Sequence, residues 1–151
     1  MIGKFLPRHA DNDYRGRKIA LWLFGLLLLV RAAIGFNTIF QGRSVATSAD
    51  GIPLESFTPA GADAFISAFA LLGLSHLMTS LLGLVVLIRY RNLVPLIFAL
   101  LLLQHLGGRL ILRVLPIPRV GTPPGVIVNL VLLALMIVGL ALSLWVRSKR
   151  A

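Results

Sequence analysis

Cysteine is absent from this 151-residue chain, which excludes disulfides, iron–sulfur clusters and every thiol-based redox mechanism. Acid is nearly as scarce: five Asp and Glu stand against fifteen Lys and Arg, four lie outside the long apolar stretches, and the fifth, Asp63, stands at the very edge of one. A proton- or sodium-coupled small transporter carries carboxylates at membrane depth, so the sequence speaks against that class. No glycine-rich phosphate loop, nucleophile elbow or His–carboxylate metal cluster occurs. The expectation is therefore a protein that is not an enzyme, with no catalytic residue and no metal ligand to name. Internal repeats and low-complexity tails are missing as well.

What is present is apolar. Hydrophobic residues make up 58% of the chain and charged residues 13%, a balance outside the range of soluble domains of this size. Four segments, 19–40, 62–88, 93–115 and 126–146, exceed the ~20 residues that a helix needs to cross a ~30 Å hydrocarbon core. Backbone amides in lipid must be satisfied within the segment, and long Leu/Ala/Val runs without strict alternation exclude a barrel. Pro116, Pro118, Pro123 and Pro124 fall between segments, where a missing N–H costs little. The expected fold is all-α: one transmembrane domain over residues 1–151, a four-helix bundle with a basic tail at 1–18 and a short capping loop between the first two helices.

The distribution of Lys and Arg sets the expected orientation. With the N-terminus inside, the cytoplasmic face carries ten basic residues (Lys4, Arg8, Arg15, Arg17, Lys18, Arg89, Arg91, Arg147, Lys149, Arg150), and Arg43, Arg113 and Arg119 lie outside. Both termini are then cytoplasmic. The formal charge of +10 reads as membrane orientation and contact with anionic lipid heads, and no nucleic-acid partner is expected. Basic residues followed by the apolar run 19–30 resemble a secretory leader, but apolar character resumes after Arg31 and no small-x-small site follows. The first segment is expected to stay as a membrane helix.

Arg31 interrupts that segment without an acid to neutralise it. A charge at bilayer depth costs on the order of 3 kcal/mol by insertion scales, so it normally faces a protein interior or wet cavity and meets a partner. Arg31 lies 13 residues after Lys18, His76 lies 13 before Arg89 and His105 lies 14 after Arg91. At a 1.5 Å rise all three reach a level ~20 Å from the basic boundary. Arg109, Asn129 and Asn37 form a second layer, ~27 Å up by the same arithmetic. His105, Arg109 and Arg113 share one stripe of the third helix at i, i+4, i+8. The expected ligand-binding set is Arg31, His76, Gln104, His105, Arg109 and Asn129, lining a net-positive vestibule that opens away from the cytoplasm.

Small and polar residues recur at intervals of three and four: Arg31, Gly35, Thr38 and Gly42; Gly73, His76, Ser80 and Gly83; Gly125, Asn129, Leu132, Met136, Gly139 and Ser143. Such stripes are what membrane helix contacts use, because close approach and hydrogen bonds replace the hydrophobic drive. The loop 42–61 carries a turn signal at Asp50–Gly51, with Val45, Ile52 and Leu54 as its apolar positions, which suggests a short hairpin. Its acids Asp50 and Glu55, with Asp63 beyond it, are the nearest counter-charges for Arg109 and Arg113.

The loop after the first helix, a second helix ending in Gly83-Leu-Val-Val-Leu-Ile-Arg89, and the tight basic turn Arg89–Tyr90–Arg91–Asn92 resemble the DoxX-like group of small bacterial membrane proteins. The likeness is one of layout and covers the first three helices. It implies a multi-pass protein of the bacterial plasma membrane with redox- or quinone-linked partners, and it transfers no site.

Two functional expectations result. The first is a non-enzymatic binding or accessory protein without cofactor, whose polar layer holds an anionic small molecule, a lipid head or the carboxylate of a membrane partner or second copy. The alternative is a b-haem or quinone-binding electron-transfer subunit with His76 and His105 as axial ligands.

Overall fold

The computed structural model describes residues 9–145, and within them four long helices carry nearly all of the chain. These are α1 (Lys18–Phe40), α2 (Pro59–Arg89), α3 (Val94–Val114) and α4 (Pro124–Leu144). Each is long and apolar enough to cross a membrane, and most of their large apolar side chains point outward, Leu29, Leu103 and Ile127 among them. Lys4, Arg8, Val146, Arg147, Lys149 and Arg150, which entered the expected orientation and the last segment, lie outside the described residues.

Helix boundaries follow local chemistry. Thr58 caps α2 by accepting a hydrogen bond from the Gly61 N–H at 3.2 Å, and Pro59 occupies the first turn, where no N–H is needed. Prolines likewise open α3 and α4. A single turn, Arg91–Leu93, joins α2 to α3.

Although that turn ties them covalently, α2 and α3 scarcely touch. The dominant contact is α1 against α2, followed by α3 against α4 and α1 against α4. Small residues explain the first. A Cβ on Gly35 would stand 2.7 Å from the Gly73 carbonyl oxygen, and one on Gly73 would stand 2.8 Å from the Gly35 carbonyl oxygen and 2.9 Å from Thr38 Cβ. The two backbones are in direct contact. About two and three turns further along α2, Ser80 is buried and Gly83 accepts Leu28.

The main core gathers Phe24, Leu27 and Leu28 of α1, Val86 of α2, Ile97, Phe98 and Leu101 of α3, and Leu132 and Met136 of α4. Phe24 and Phe98 meet at 4.9 Å between ring centroids, and Gly139 leaves room on α4 for the Phe98 ring. All of these lie toward the end carrying Lys18 and Arg89. In the opposite half, α3 stands away from its neighbours: residues from Gly108 to Pro116 are exposed, and nothing lies within 4 Å of where a Cβ on Gly107 or Gly108 would be.

The loop between α1 and α2 is helical, and no strand occurs among the described residues, so the expected hairpin is not formed. Gly42–Ser44 and a wide turn over Val45–Ala49 continue the direction of α1, and Thr47 Oγ1 donates to the Arg43 carbonyl at 3.0 Å. Pro53 has no N–H for a strand ladder, and the loop's apolar residues are needed elsewhere. Ala46, Ile52 and Leu54 bury themselves with Phe57, Phe65 and Phe69, and Ile117 from the α3–α4 linker joins them. The turn signal is real: Gly51 has φ +67°, and its carbonyl accepts from the Val120 N–H at 2.8 Å. A Cβ there would also lie 2.8 Å from the Val120 carbonyl oxygen. The loop and the linker thus lock into one cap.

Asp50 lies within this cap, and burial holds its carboxyl above the ordinary aspartate range against the opposing pull of Arg119. The folded state therefore binds the proton more tightly than the unfolded chain, and stability falls as pH rises from the unfolded toward the folded pKa. Asp50→Asn is expected to remove that loss, so thermal unfolding at pH 4 and pH 7 should differ less in the variant than in the native chain. For the helix contact, Gly35→Leu should destabilise by about 1–3 kcal/mol through overpacking. Gly108→Ala, facing open space, should be neutral or up to about 1 kcal/mol stabilising; denaturant titration in detergent measures both.

Candidate functional site

Arg31 is buried at 4% exposure in the middle of α1. The Gly35–Gly73 contact places α2 hard against α1 one turn away, and His76 Cβ would lie 3.2 Å from a Cβ on Gly35. From α3, Gln104 reaches across: Arg31 Nη2 donates to Gln104 Oε1 at 3.0 Å. Among the described residues this is the only hydrogen bond made by the Arg31 side chain, and its partner is a neutral amide. Arg31 Nε is buried with no partner.

The histidines join this level. His76 lies within electrostatic range of both Arg31 and His105, and His105 within range of Arg31 and Arg109. His105 Nε2 is buried with no hydrogen-bond partner. The His76 carbonyl accepts from Ser80 Oγ at 2.8 Å and from Thr79 Oγ1 at 3.0 Å. Those hydroxyls thus turn back on their own helix and leave the histidine side chain unserved. Arg31, His76, Gln104 and His105 therefore converge from three helices.

The outer layer behaves differently. Asn37, Arg109 and Asn129 are exposed, and among the described residues their side chains make no hydrogen bond or ion pair. Arg109 stays in electrostatic reach of His105, whereas Asn129 sits on a part of α4 that faces away from the core. The cap's acids also choose other cations: Asp63 pairs with Arg43 at 3.2 Å, Asp50 is nearest Arg119, and Glu55 is exposed. Neither Arg109 nor Arg113 receives them, because the lock at Gly51–Val120 fixes the cap over the α3–α4 linker.

Chemically, the level offers a guanidinium with a single neutral partner and two imidazoles in an apolar surround. Such a level is chemically suited to negative charge, since an uncompensated buried cation costs several kcal/mol and an anion beside it would recover part of that. It offers no carboxylate to move protons. Among the described residues no group of His, Asp and Glu is placed to hold a metal ion. The haem alternative finds little room here, because His105 Nε2 is enclosed by protein and an axial ligand needs an open nitrogen facing a ring-wide slot.

One feature of the sequence went unread. Residues 9–17 do not hang free as a tail but cross the ends of the helices. Asn92 in the α2–α3 turn donates to the His9 carbonyl at 2.8 Å and accepts from the Asp11 N–H at 3.2 Å. At the far side the Arg17 N–H donates to the Leu142 carbonyl at 3.2 Å, and the Arg17 guanidinium lies 4.7 Å over the Trp145 ring. An amide in a short turn otherwise rich in charge was the one available signal.

Four helices long and apolar enough to cross a membrane, with no strand among the described residues, define the class as a helical multi-pass membrane protein. No protein-family model matches the chain, and no curated protein and no solved structure matches it either.

The Arg31–Gln104 bond can be tested directly. Gln104→Leu removes the sole partner of a buried cation and should destabilise by about 1.5–3 kcal/mol. Arg31→Leu combined with Gln104→Leu should cost less than the sum of the single changes, and a double-mutant cycle by denaturant titration measures the coupling.

Proposed function

We propose that this protein is a non-enzymatic binding or accessory protein of a membrane, whose polar level at Arg31, His76, Gln104 and His105 holds an anionic group. The group is the acidic head of a small amphiphile or the carboxylate of a membrane partner. One observation carries this reading: a guanidinium at 4% exposure whose single hydrogen bond goes to a neutral amide. A buried charge is ordinarily paired, and the chain brings no acid to this one.

Charge bias supports the accompanying topology. Basic residues concentrate at the end where α1 starts and α2 finishes, which places that end in the cytoplasm by the positive-inside rule. The cap and its acids then face outward. The layout it shares with DoxX-like proteins favours the plasma membrane of a bacterium, and no residue role is taken from that likeness. Arg109 extends the positive field toward the cap, where it can draw an anion in. The splayed outer half of α3 gives such a molecule a way in from the lipid.

Native mass spectrometry of protein extracted from its membrane provides the test. The native chain is expected to carry an acidic molecule that Arg31→Leu loses and Arg31→Lys retains in part, with helix content by circular dichroism unchanged. If Arg31→Leu retains every acidic adduct of the native chain equally, with none lost, the proposal is removed.

A further inference from the structure

A second concavity lies well away from Arg31, at the basic end of the molecule. It is an open groove of about 790 Å³, within the size range of small-molecule sites. Its floor and one wall come from α1, where Leu21, Trp22, Gly25, Leu26 and Leu29 recur at three- and four-residue spacing. Leu87 of α2 forms the facing wall. Gly25 keeps the floor low, since a Cβ there would already touch Leu87 at 3.5 Å. At the mouth stand Lys18 and Arg91, and the crossing segment closes the end with Asn12 and Tyr14.

We propose that this groove binds one anionic glycerophospholipid, with an acyl chain along α1 and the phosphate between Lys18 and Arg91. Length, charge and availability agree. From Lys18 to Leu29 the groove runs roughly 16 Å at 1.5 Å per residue, about one leaflet of a ~30 Å core. Its walls are apolar along that run, and cationic groups appear only at the mouth. Trp22, 81% exposed, is the amphipathic residue type that sits at headgroup level.

Among the described residues neither mouth cation is in an ion pair: Asp13 is taken by Arg15 and Asp63 by Arg43. Arg91 Nε donates to the Leu87 carbonyl at 3.0 Å, which steadies the guanidinium at the mouth and leaves its terminal nitrogens for a phosphate. Bidentate geometry suits that anion. A helix from a second copy fits less well, because the four helices bring one acid, Asp63, and it lies at the opposite end of α2. Lipid phosphate supplies the negative charge at the right level of the membrane.

The experiment uses the full chain in detergent with phosphatidylglycerol or phosphatidylcholine of identical acyl chains, read by native mass spectrometry. The native protein should retain one phosphatidylglycerol in preference to phosphatidylcholine. Lys18→Gln with Arg91→Gln, both at exposed positions, should cut that preference at least about tenfold, given what each basic side chain contributes near anionic lipid. Gly25→Phe, which raises the floor, should lose both lipids. Arg31→Leu should leave the adduct in place, which separates this groove from the Arg31 level. An unchanged preference in the double variant, equal retention of the two lipids by the native chain, or a dimer in place of the lipid adduct would each overturn the proposal.

Discussion

The backbone contact between Gly35 and Gly73 is the constraint on which the rest of the molecule depends. In lipid there is no hydrophobic force to draw helices together, so association relies on close packing and on the few polar bonds available. Here two carbonyl oxygens lie where side chains would otherwise stand. With α1 and α2 held that close, Arg31 one turn down α1 and His76 one turn along α2 cannot turn to lipid. The polar level is thus a product of the apolar packing, with Thr38, Ser80 and Gly83 extending the same contact along the helices.

Two different ends follow from that arrangement. At the basic end all four helices share the aromatic core around Phe24 and Phe98, and residues 9–17 strap the ends together through Asn92 and Trp145. At the other end α1 and α2 remain tight while α3 moves off, and only the cap, through Gly51 and Val120, ties the α3–α4 linker back. Tyr14 shows how firmly the strap is seated, for burial pushes its hydroxyl up to about 12. Rigidity at one end and separation at the other leave the Arg31 level at the boundary between them. The anion proposed above would approach from the open half and meet a guanidinium held by Gln104. This asymmetry is why the site is read as receiving a ligand and not as a sealed structural pair.

The stripes at three- and four-residue spacing were legible because lipid imposes a single rule on helix contacts. Gly35, Thr38, Gly42, Gly73, Ser80, Gly83, Leu132, Met136, Gly139 and Ser143 are all buried, each on a face that the spacing alone had marked. Depth counting puts Arg31, His76 and His105 at one level because a helix has a fixed rise, and the three lie in electrostatic range of one another. It brought Asn37, Arg109 and Asn129 to one level too, yet level says nothing of azimuth, and these three point away from the core. The loop misled for a related reason: the apolar positions Val45, Ile52 and Leu54 flanking a turn are compatible with a hairpin until Phe65 and Phe69 of α2 claim Ile52 and Leu54.

What the amino-acid sequence determined by itself was the class of solvent and the four helices, since a run of some twenty apolar residues has one way to satisfy its amides in lipid. It also determined that the apolar run around Arg31 would hold no acid, because the order of residues along a helix is independent of how the helices pack. Which helices touch was decided only by the tertiary structure: α2 and α3 are joined by one turn, yet each packs best on a different neighbour, because shape at Gly35, Gly73 and Gly139 outweighs proximity in the chain. The choice of Gln104 as partner for Arg31, and of Asn92 as anchor for residues 9–17, belongs there too. A hydrogen bond spanning many residues depends on where two helices place their faces, and no local pattern encodes that.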